Sequence, residues 1–306
     1  MAERTLTFPG PVSPGHTLAP QRRGPGDPCF QIDADGAIWR TSLQSTGPVT
    51  ARIVRRVPDI VVCRAWGEGA EEFLANLPAL LGADDDASDF QPTDPTVQRA
   101  RQRSRHLRIG RTGRVLEALI PAVLEQRVQG VEAFRSWRLL VTRFGTPAPG
   151  PAPAVMRVPP SAQAWRAIPS WEFHRANVDP GRMRTLLGCA ARAEALERLA
   201  PRPPAVPMEQ ARQAMTSLPG VGVWTAAETA QRAFGDADAL SIGDYHLSSM
   251  IGWTLLGRPI DDDAMVDLLE PMRPHRYRVV RLLEVSGLAQ LPRRGPRLPR
   301  HRISGL

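Results

Sequence analysis

Residues 218–225, Leu-Pro-Gly-Val-Gly-Val-Trp-Thr, place a Gly-x-Gly turn between two stretches of helical periodicity. Met208, Ala211, Met215 and Leu218 recur before it at spacings of three and four; Trp224, Ala227, Ala230 and Phe234 do so after it. The pattern predicts two short helices joined by a tight turn, with backbone N–H groups facing outward where the second helix begins. Such a nest, at the positive end of a helix dipole, suits a phosphate oxygen. Gly220 and Gly222 give the turn its conformational freedom and let a polyanion backbone approach closely. The expected anchor is the backbone of Gly220, Val221 and Gly222, helped by Thr225. A bare Gly-x-Gly is more often a plain packing turn, so the assignment depends on what surrounds it.

Asp244 lies twenty residues beyond Trp224, in Ser241-Ile-Gly-Asp-Tyr-His, just ahead of the periodic Leu247, Ile251 and Leu255. That is a helix N-cap position. An aspartate there contributes about 1 kcal/mol to the helix. The same free N–H groups and dipole keep its carboxylate ionised.

Charge is unevenly spread along the 306 residues. The chain has a net charge of +8, yet residues 1–90 carry 8 arginines against 12 acids, and residues 91–306 the other 31 basic residues against 19 acids. Only the second part has the electrostatic footprint of a phosphate-binding surface. Arg99, Arg101, Arg103, Arg105, Arg108, Arg111 and Arg114 run without an acid between Asp94 and Glu117, either as a solvated face or as a DNA contact. The 3 cysteines, Cys29, Cys63 and Cys189, are too scattered for a disulfide framework or a Cys-x-x-Cys metal site, and the histidines show no metal-ligand spacing. No signal-like segment or long apolar span is present, which fits a reducing, cytoplasmic, nucleoid-associated setting away from membranes.

The pattern along the chain predicts a mainly α protein with a small α+β domain in front. Residues 1–25, rich in Pro and Gly, are expected to be poorly ordered. Residues 26–90 read as the α+β domain. Its hairpin turns at Asp33-Ala-Asp-Gly36, further strands run through Val49 to Ile53 and Ile60 to Cys63, and a helix covers about Ala70 to Leu81. Asp84 to Asp86 read as a solvated boundary. Residues 91–291 read as an all-helical core with proline-rich connectors at Thr146 to Pro153 and Pro201 to Pro207, a helix from Met183 and a last helix over Tyr277 to Leu288. Residues 292–306 read as a basic disordered tail.

The hairpin string, Leu-Glu-Gln-Arg-Val (124–128), Leu-Gly-Cys-Ala-Ala-Arg-Ala-Glu-Ala-Leu (187–196), Gly-Asp-Tyr-His-Leu (243–247) and Arg-Pro-His-Arg (273–276) follow one another in an order that resembles the helix-hairpin-helix DNA glycosylase superfamily. The branch they look most like is the alkylation-repair one, DNA-3-methyladenine glycosylase II. The resemblance implies a glycosylase core of two helical lobes preceded by a β-rich domain. It also implies that Asp244 is the catalytic carboxylate, stabilising an oxocarbenium-like transition state or orienting the attacking water. Trp224 stands where bifunctional members carry a Schiff-base lysine, and the chain has no lysine at all. A monofunctional, water-using enzyme follows.

An extruded base would be held by stacking, with Trp224 and Tyr245 as the aromatic candidates. Glu228 and Glu284 occupy positions where the branch has further aromatics. They suggest an acidic pocket for a cationic methylpurine, against the plainer reading that Glu228 pairs with Arg232 at i, i+4. Gln126 and Arg127 match the segment that fills the vacated stack, with Arg127 able to stack or to touch a phosphate. Arg276 is expected to brace the last helices.

No cofactor is expected: the cysteines exclude a four-cysteine iron–sulfur cluster, and a monovalent cation on the hairpin carbonyls is the only ion that the resemblance implies. The expected partner is double-stranded DNA holding a damaged base, bound by a monomer. The resulting expectation is excision of an alkylated, 3-methyladenine-type base. The alternatives are a non-enzymatic DNA-binding module with a degenerate pocket, and a glycosylase for another lesion such as deaminated purines.

Overall fold

The computed structural model describes residues 1–200 and 207–291, so the expected tail at 292–306 and most of the connector from Pro201 lie outside the described residues. Strands β1 (Ala2–Thr7), β2 (Phe30–Ile32), β3 (Ile38–Gln44), β4 (Gly47–Val57) and β5 (Ile60–Trp66) form one antiparallel sheet in the order β1-β5-β4-β3-β2. Helices α1 (Pro14–Leu18) and α2 (Ala70–Leu80) accompany it. Alternate strand residues Val49, Ala51, Ile53, Val61 and Cys63 meet Phe73, Leu74 and Leu77 of α2 in a core of their own.

The first 25 residues are ordered, contrary to the composition-based expectation. β1 pairs with β5 from Ala2↔Ala65 to Thr7↔Ile60, and Phe8, Val12 and Leu18 are buried in the sheet's core. Pro14 sits at the start of α1, where its missing N–H costs nothing. The prolines here mark caps and turns, and a few well-spaced apolar side chains hold the segment down.

The rest is mainly helical: α3 (Pro95–Arg103), α4 (Val115–Leu124), α5 (Gly130–Phe144), α6 (Ala162–Ala167), α7 (Ser170–Arg175), α8 (Pro180–Ala191) and α9 (Ala193–Glu197). The Thr146 to Pro153 connector opens a short ribbon of β6 (Thr146–Pro147) and β7 (Arg157–Val158). After the connector at 201 come α10 (Met208–Thr216), α11 (Val223–Ala233), α12 (Leu247–Leu256), α13 (Asp262–Leu269) and α14 (Arg276–Val285). Two apolar clusters divide these helices into lobes. Leu119, Val123, Trp137, Leu140, Phe173, Leu186 and Ala230 belong to one; Val97, Ile251, Met265, Leu269, Val279 and Leu283 belong to the other. The segment from α11 to α12 passes from the first lobe to the second, and Asp244 lies on it.

Buried polar contacts tie the layers together. Arg40 and Ser42 of β3 both bind the Glu117 carboxylate on α4, and Asp27 accepts from the Trp137 indole at 2.9 Å. Burial raises the Asp27 carboxyl above its ordinary range, opposed by backbone hydrogen bonds from Arg23 and Cys29. The acidic run at 84–86 is also structural rather than merely solvated. Asp85 receives the Arg278 guanidinium in two hydrogen bonds, at 2.6 and 2.9 Å, and Asp84 pairs with Arg111. Four arginines of the basic run are thereby accounted for internally: Arg111, Arg114 on Glu197, Arg101 over the Phe90 ring and Arg108 over the Phe8 ring. Arg276 grips Asp238 in a two-pronged pair, as a brace for the last helices should.

Candidate active site

The hairpin is built from both sides of its turn. At Gly220 φ is +84°, and a Cβ there would lie 2.0 Å from Thr185 Oγ1, so no other residue fits. Gly222 differs from the expectation of a second strained glycine. Its φ is −91°, an ordinary extended value, and nothing lies within 4 Å of a Cβ added to it. What Gly222 provides is an open face ahead of α11. The amides of Gly220, Gly222, Val223 and Trp224 have no acceptor among the described residues.

Two members of the expected phosphate anchor do other work. Val221 is buried, and its N–H donates to Leu218 O at 3.0 Å inside the turn. Thr225 is buried too, and its hydroxyl accepts from Gln126 Nε2 at 2.8 Å. The same Gln126 amide donates to Gly220 O at 2.9 Å. Gln126 is therefore a staple between the α4 end and the hairpin, not a side chain free to enter DNA. A long side chain with two donors can bridge backbone and hydroxyl in this way.

Arg127, next along, is exposed and has φ +55°, one of two non-glycine residues in the left-handed region among the described residues; the other is Asn177 at +65°. Each such residue carries a cost of about 1–2 kcal/mol. Both loops are held by one buried side chain. Arg182 donates to Leu124 O at 2.8 Å and to Asn177 O at 2.9 Å, and pairs with Asp179. No sequence pattern announced Arg182, because the contact that joins the two loops is to a backbone carbonyl, Leu124 O, remote in the chain.

Asp244 lies two residues ahead of His246, the N-cap residue of α12, rather than at the cap itself, and it faces both that helix start and the hairpin. Its Oδ1 accepts from the His246 and Leu247 amides at 2.9 and 3.1 Å, where α12 begins. Its Oδ2 accepts from the Trp224 indole N–H at 3.3 Å, on the first turn of α11. The loop that presents Asp244 is pinned from α13, where Asp262 Oδ2 accepts from the Gly243 amide at 2.8 Å. The carboxylate is partly exposed, with lone pairs on Oδ2 still open.

The four residues expected around a base divide. Trp224 is half-buried and touches Asp244. Tyr245 is 80% exposed and edge-on to the His246 ring at 4.8 Å. Glu228, one turn beyond Trp224, pairs with Arg232 at 2.8 Å and accepts from the Ser241 hydroxyl at 2.5 Å. The plain i, i+4 pairing is thus present, together with a tie to the Asp244 loop. Glu284 is exposed on α14 and pairs with Arg281. Neither carboxylate is an unpaired acid. Burial depresses the Arg232 pKa, but Glu228, Tyr277 and Glu125 beside it together outweigh this and the net shift is upward.

The N-terminal segment closes this side of the molecule. Arg232 Nε donates to Pro20 O at 2.8 Å, and Arg281 Nη2 donates to His16 O at 3.1 Å. The stretch from His16 to Gln21 lies across the groove between α11 and α14. Cys29, Cys63 and Cys189 are buried free thiols, and burial drives the Cys63 and Cys189 thiols up to about 12. Among the described residues no group of His, Cys, Asp and Glu is placed to hold a metal, and no helix is long and apolar enough to cross a membrane.

Solved structures share this architecture. The fold is similar to that of 3-methyladenine DNA-glycosylase from Archaeoglobus fulgidus, with a TM-score of 0.77 and 16% identity over 91% of this chain and 96% of that one. It is similar to the apo form of Clostridium acetobutylicum 8-oxoguanine glycosylase/lyase, with a TM-score of 0.70 and 11% identity over 93% and 96% of the two chains. The Schizosaccharomyces pombe 3-methyladenine DNA glycosylase, in complex with abasic DNA, matches at a TM-score of 0.51 and 15% identity, over 65% of this chain and 94% of that one. No protein-family profile and no curated protein matches the chain. The chain has the helix-hairpin-helix glycosylase fold.

Proposed function

We propose that this protein is a monofunctional DNA glycosylase, which binds damaged duplex DNA and hydrolyses the N-glycosidic bond of a base extruded from it. The observation that carries the proposal is the setting of Asp244. One carboxylate oxygen is fixed by two amides and the other is turned toward the hairpin by a neutral indole donor. In the proposed complex a phosphate lies on the open amides of Gly220, Gly222, Val223 and Trp224, in the field of the α11 dipole. Arg127 reaches the duplex from its rigid loop. With the base extruded, the deoxyribose C1′ lies beside Asp244, whose charge stabilises the developing oxocarbenium ion and whose open lone pair orients water. Trp224 occupies the place of an amine nucleophile and donates to the carboxylate instead. The chain has no lysine, so the product is an intact abasic site.

The implied monovalent cation is compatible with the turn. Leu218 O and Gly220 O each accept one internal hydrogen bond and keep a second lone pair. Two lesion classes compete for the base site: the cationic alkylpurines of the resemblance and neutral deaminated purines. Glu228 and Glu284 are each paired with an arginine, which weakens the case for an acidic pocket that would favour the first.

Release of free base from lesion-bearing duplexes tests the proposal. Asp244→Asn is expected to abolish release while DNA binding persists. A non-enzymatic DNA-binding protein would release nothing in either form. Borohydride trapping of a covalent protein–DNA adduct would overturn the water-using mechanism.

A further inference from the structure

Asp244 follows a non-helical segment that runs along the seam between the two lobes. Ala239 belongs to the apolar cluster of the first lobe, while Leu240 and Ile242 pack with that of the second. Up to Ser241 the segment is fixed from α11. Gln231 Nε2 donates to Ala239 O at 2.8 Å and to the Ser241 hydroxyl at 2.9 Å, and that hydroxyl donates to Glu228 at 2.5 Å. The chain then turns at Gly243, where φ is +88°. Glycine leaves such a turn loose, since both signs of φ are open to it. What holds it is Asp262, whose Oδ2 accepts from the Gly243 amide at 2.8 Å. Gly243 is exposed, so water is a ready alternative partner and the bond is not needed to satisfy the amide. Nor does α13 need Asp262 in order to start. Asp261 already caps that helix, accepting from the Ala264 amide at 2.9 Å. Asp262 also keeps its second oxygen, Oδ1, buried and without a hydrogen-bond partner, an unfavourable state that a solvated first-turn acid avoids. Its own position is firm. The turn before α13 is pressed against α12, where a Cβ on Gly252 would lie 2.5 Å from Arg258 O. The start of α12 supplies the amides that fix Asp244 Oδ1. The α12–α13 corner thus holds the Asp244 side chain and, through Asp262, the backbone one residue before it.

We propose that Asp262 is a positioning residue for the reaction: through the Gly243 amide it sets where the Asp244 carboxylate stands against the deoxyribose. This rests on the glycosylase reading above. Placement of that carboxylate is worth much, because a misplacement of about 1 Å can cost about 100-fold in rate. With the Gly243 amide released, the glycine turn relaxes toward other backbone angles, and Asp244 Oδ2 loses its fixed bearing toward the hairpin. The open hairpin amides and the α11 side chains are not touched by the change. DNA affinity and the choice of base therefore do not depend on Asp262, and the rate does. The role calls for an acceptor at this point rather than for a charge, so the side-chain carbonyl of asparagine can fill it.

Single-turnover base release tests this, with duplex DNA methylated by dimethyl sulfate and duplex DNA deaminated by nitrous acid as substrates. On whichever DNA the unaltered protein acts, Asp262→Ala is expected to slow release about tenfold or more. Affinity for an abasic-site duplex and the identity of the freed base should stay the same, while hydrogen exchange over residues 242–245 accelerates. Asp262→Ser, whose side chain is too short to reach the amide, should be as slow. Asp262→Asn should recover most of the rate. Asp263→Ala, which removes a like charge from the same first turn of α13, should release base at the unaltered rate. Undiminished release by the alanine and serine variants would overturn the inference and leave the glycosylase reading standing. So would an asparagine variant as slow as alanine, or an equal loss in Asp263→Ala, since either would make charge rather than placement the cause. If the unaltered protein freed no base from either DNA, both the inference and the glycosylase reading would fail.

Discussion

At the residue scale, the most demanding position is Gly220. A methyl group there meets Thr185 Oγ1 on a backbone with positive φ. Gly220→Ala is expected to cost about 2–4 kcal/mol of stability, measured by urea unfolding. Gly222→Ala is the informative contrast. The fold has room for it, so Tm should hold, while the added methyl stands between the open amides and a phosphate and weakens DNA binding. Equal effects of the two substitutions on Tm would contradict the distinct roles given to them. Trp224→Phe keeps the ring and removes the N–H that reaches Asp244. Base release should slow about fivefold, with DNA affinity unchanged, since the lost hydrogen bond is long. Asp244 was legible in the sequence because its carboxylate bonds the amides two and three residues ahead, as a capping aspartate does. The partners of Thr225 and Gln126 were not legible, because they lie about a hundred residues apart and meet only when α4 packs on α11.

At the element scale, one buried side chain sets the geometry of the proposed DNA-binding face. Arg182 joins the end of α4 to the loop before α8, and it holds both left-handed residues in place. Arg182→Met leaves Leu124 O and Asn177 O unpaired in a buried setting. A loss of about 2–4 kcal/mol is expected, with faster hydrogen exchange confined to residues 124–129 and 176–180. Uniform exchange across the chain would argue against a local clamp. Helix positions were readable where one apolar stripe is buried, as with Ala70, Phe73, Leu74 and Leu77 of α2, and less so in α14, which also buries Arg276 and Arg278. The basic run at 99–114 misled in part. Its charges look alike in sequence, whereas the fold spends Arg101, Arg108, Arg111 and Arg114 on rings and acids and leaves Arg103 and Arg105 at the surface.

At the scale of the whole molecule, the largest difference from the sequence reading is the N-terminal segment. Proline and glycine content argued for disorder, but β1 completes the sheet and α1 roofs the groove beside α14. Composition averages over a window, while Phe8, Val12 and Leu18 act singly by entering a core built by residues far along the chain. The segment's docking has a pH dependence. His16 and His106 share a 2.7 Å hydrogen bond, which requires at least one neutral ring. Burial lowers both pKa values, with nearby Arg55 and Arg281 adding to the effect on His16. A base with a depressed folded-state pKa loses its contribution as pH falls through that value. Hydrogen exchange over residues 13–19 should therefore accelerate between pH 7.5 and 5.5, and His106→Gln should flatten the change. The Gln126 staple has a consequence for how such a protein would search a genome. One amide fixes the offset between the turn proposed to hold a phosphate and Arg127, the residue proposed to reach the duplex. On the proposed function, each nucleotide step along the backbone would bring the probe to one base pair at a constant distance. Grip and inspection would then advance together, without a separate motion for each.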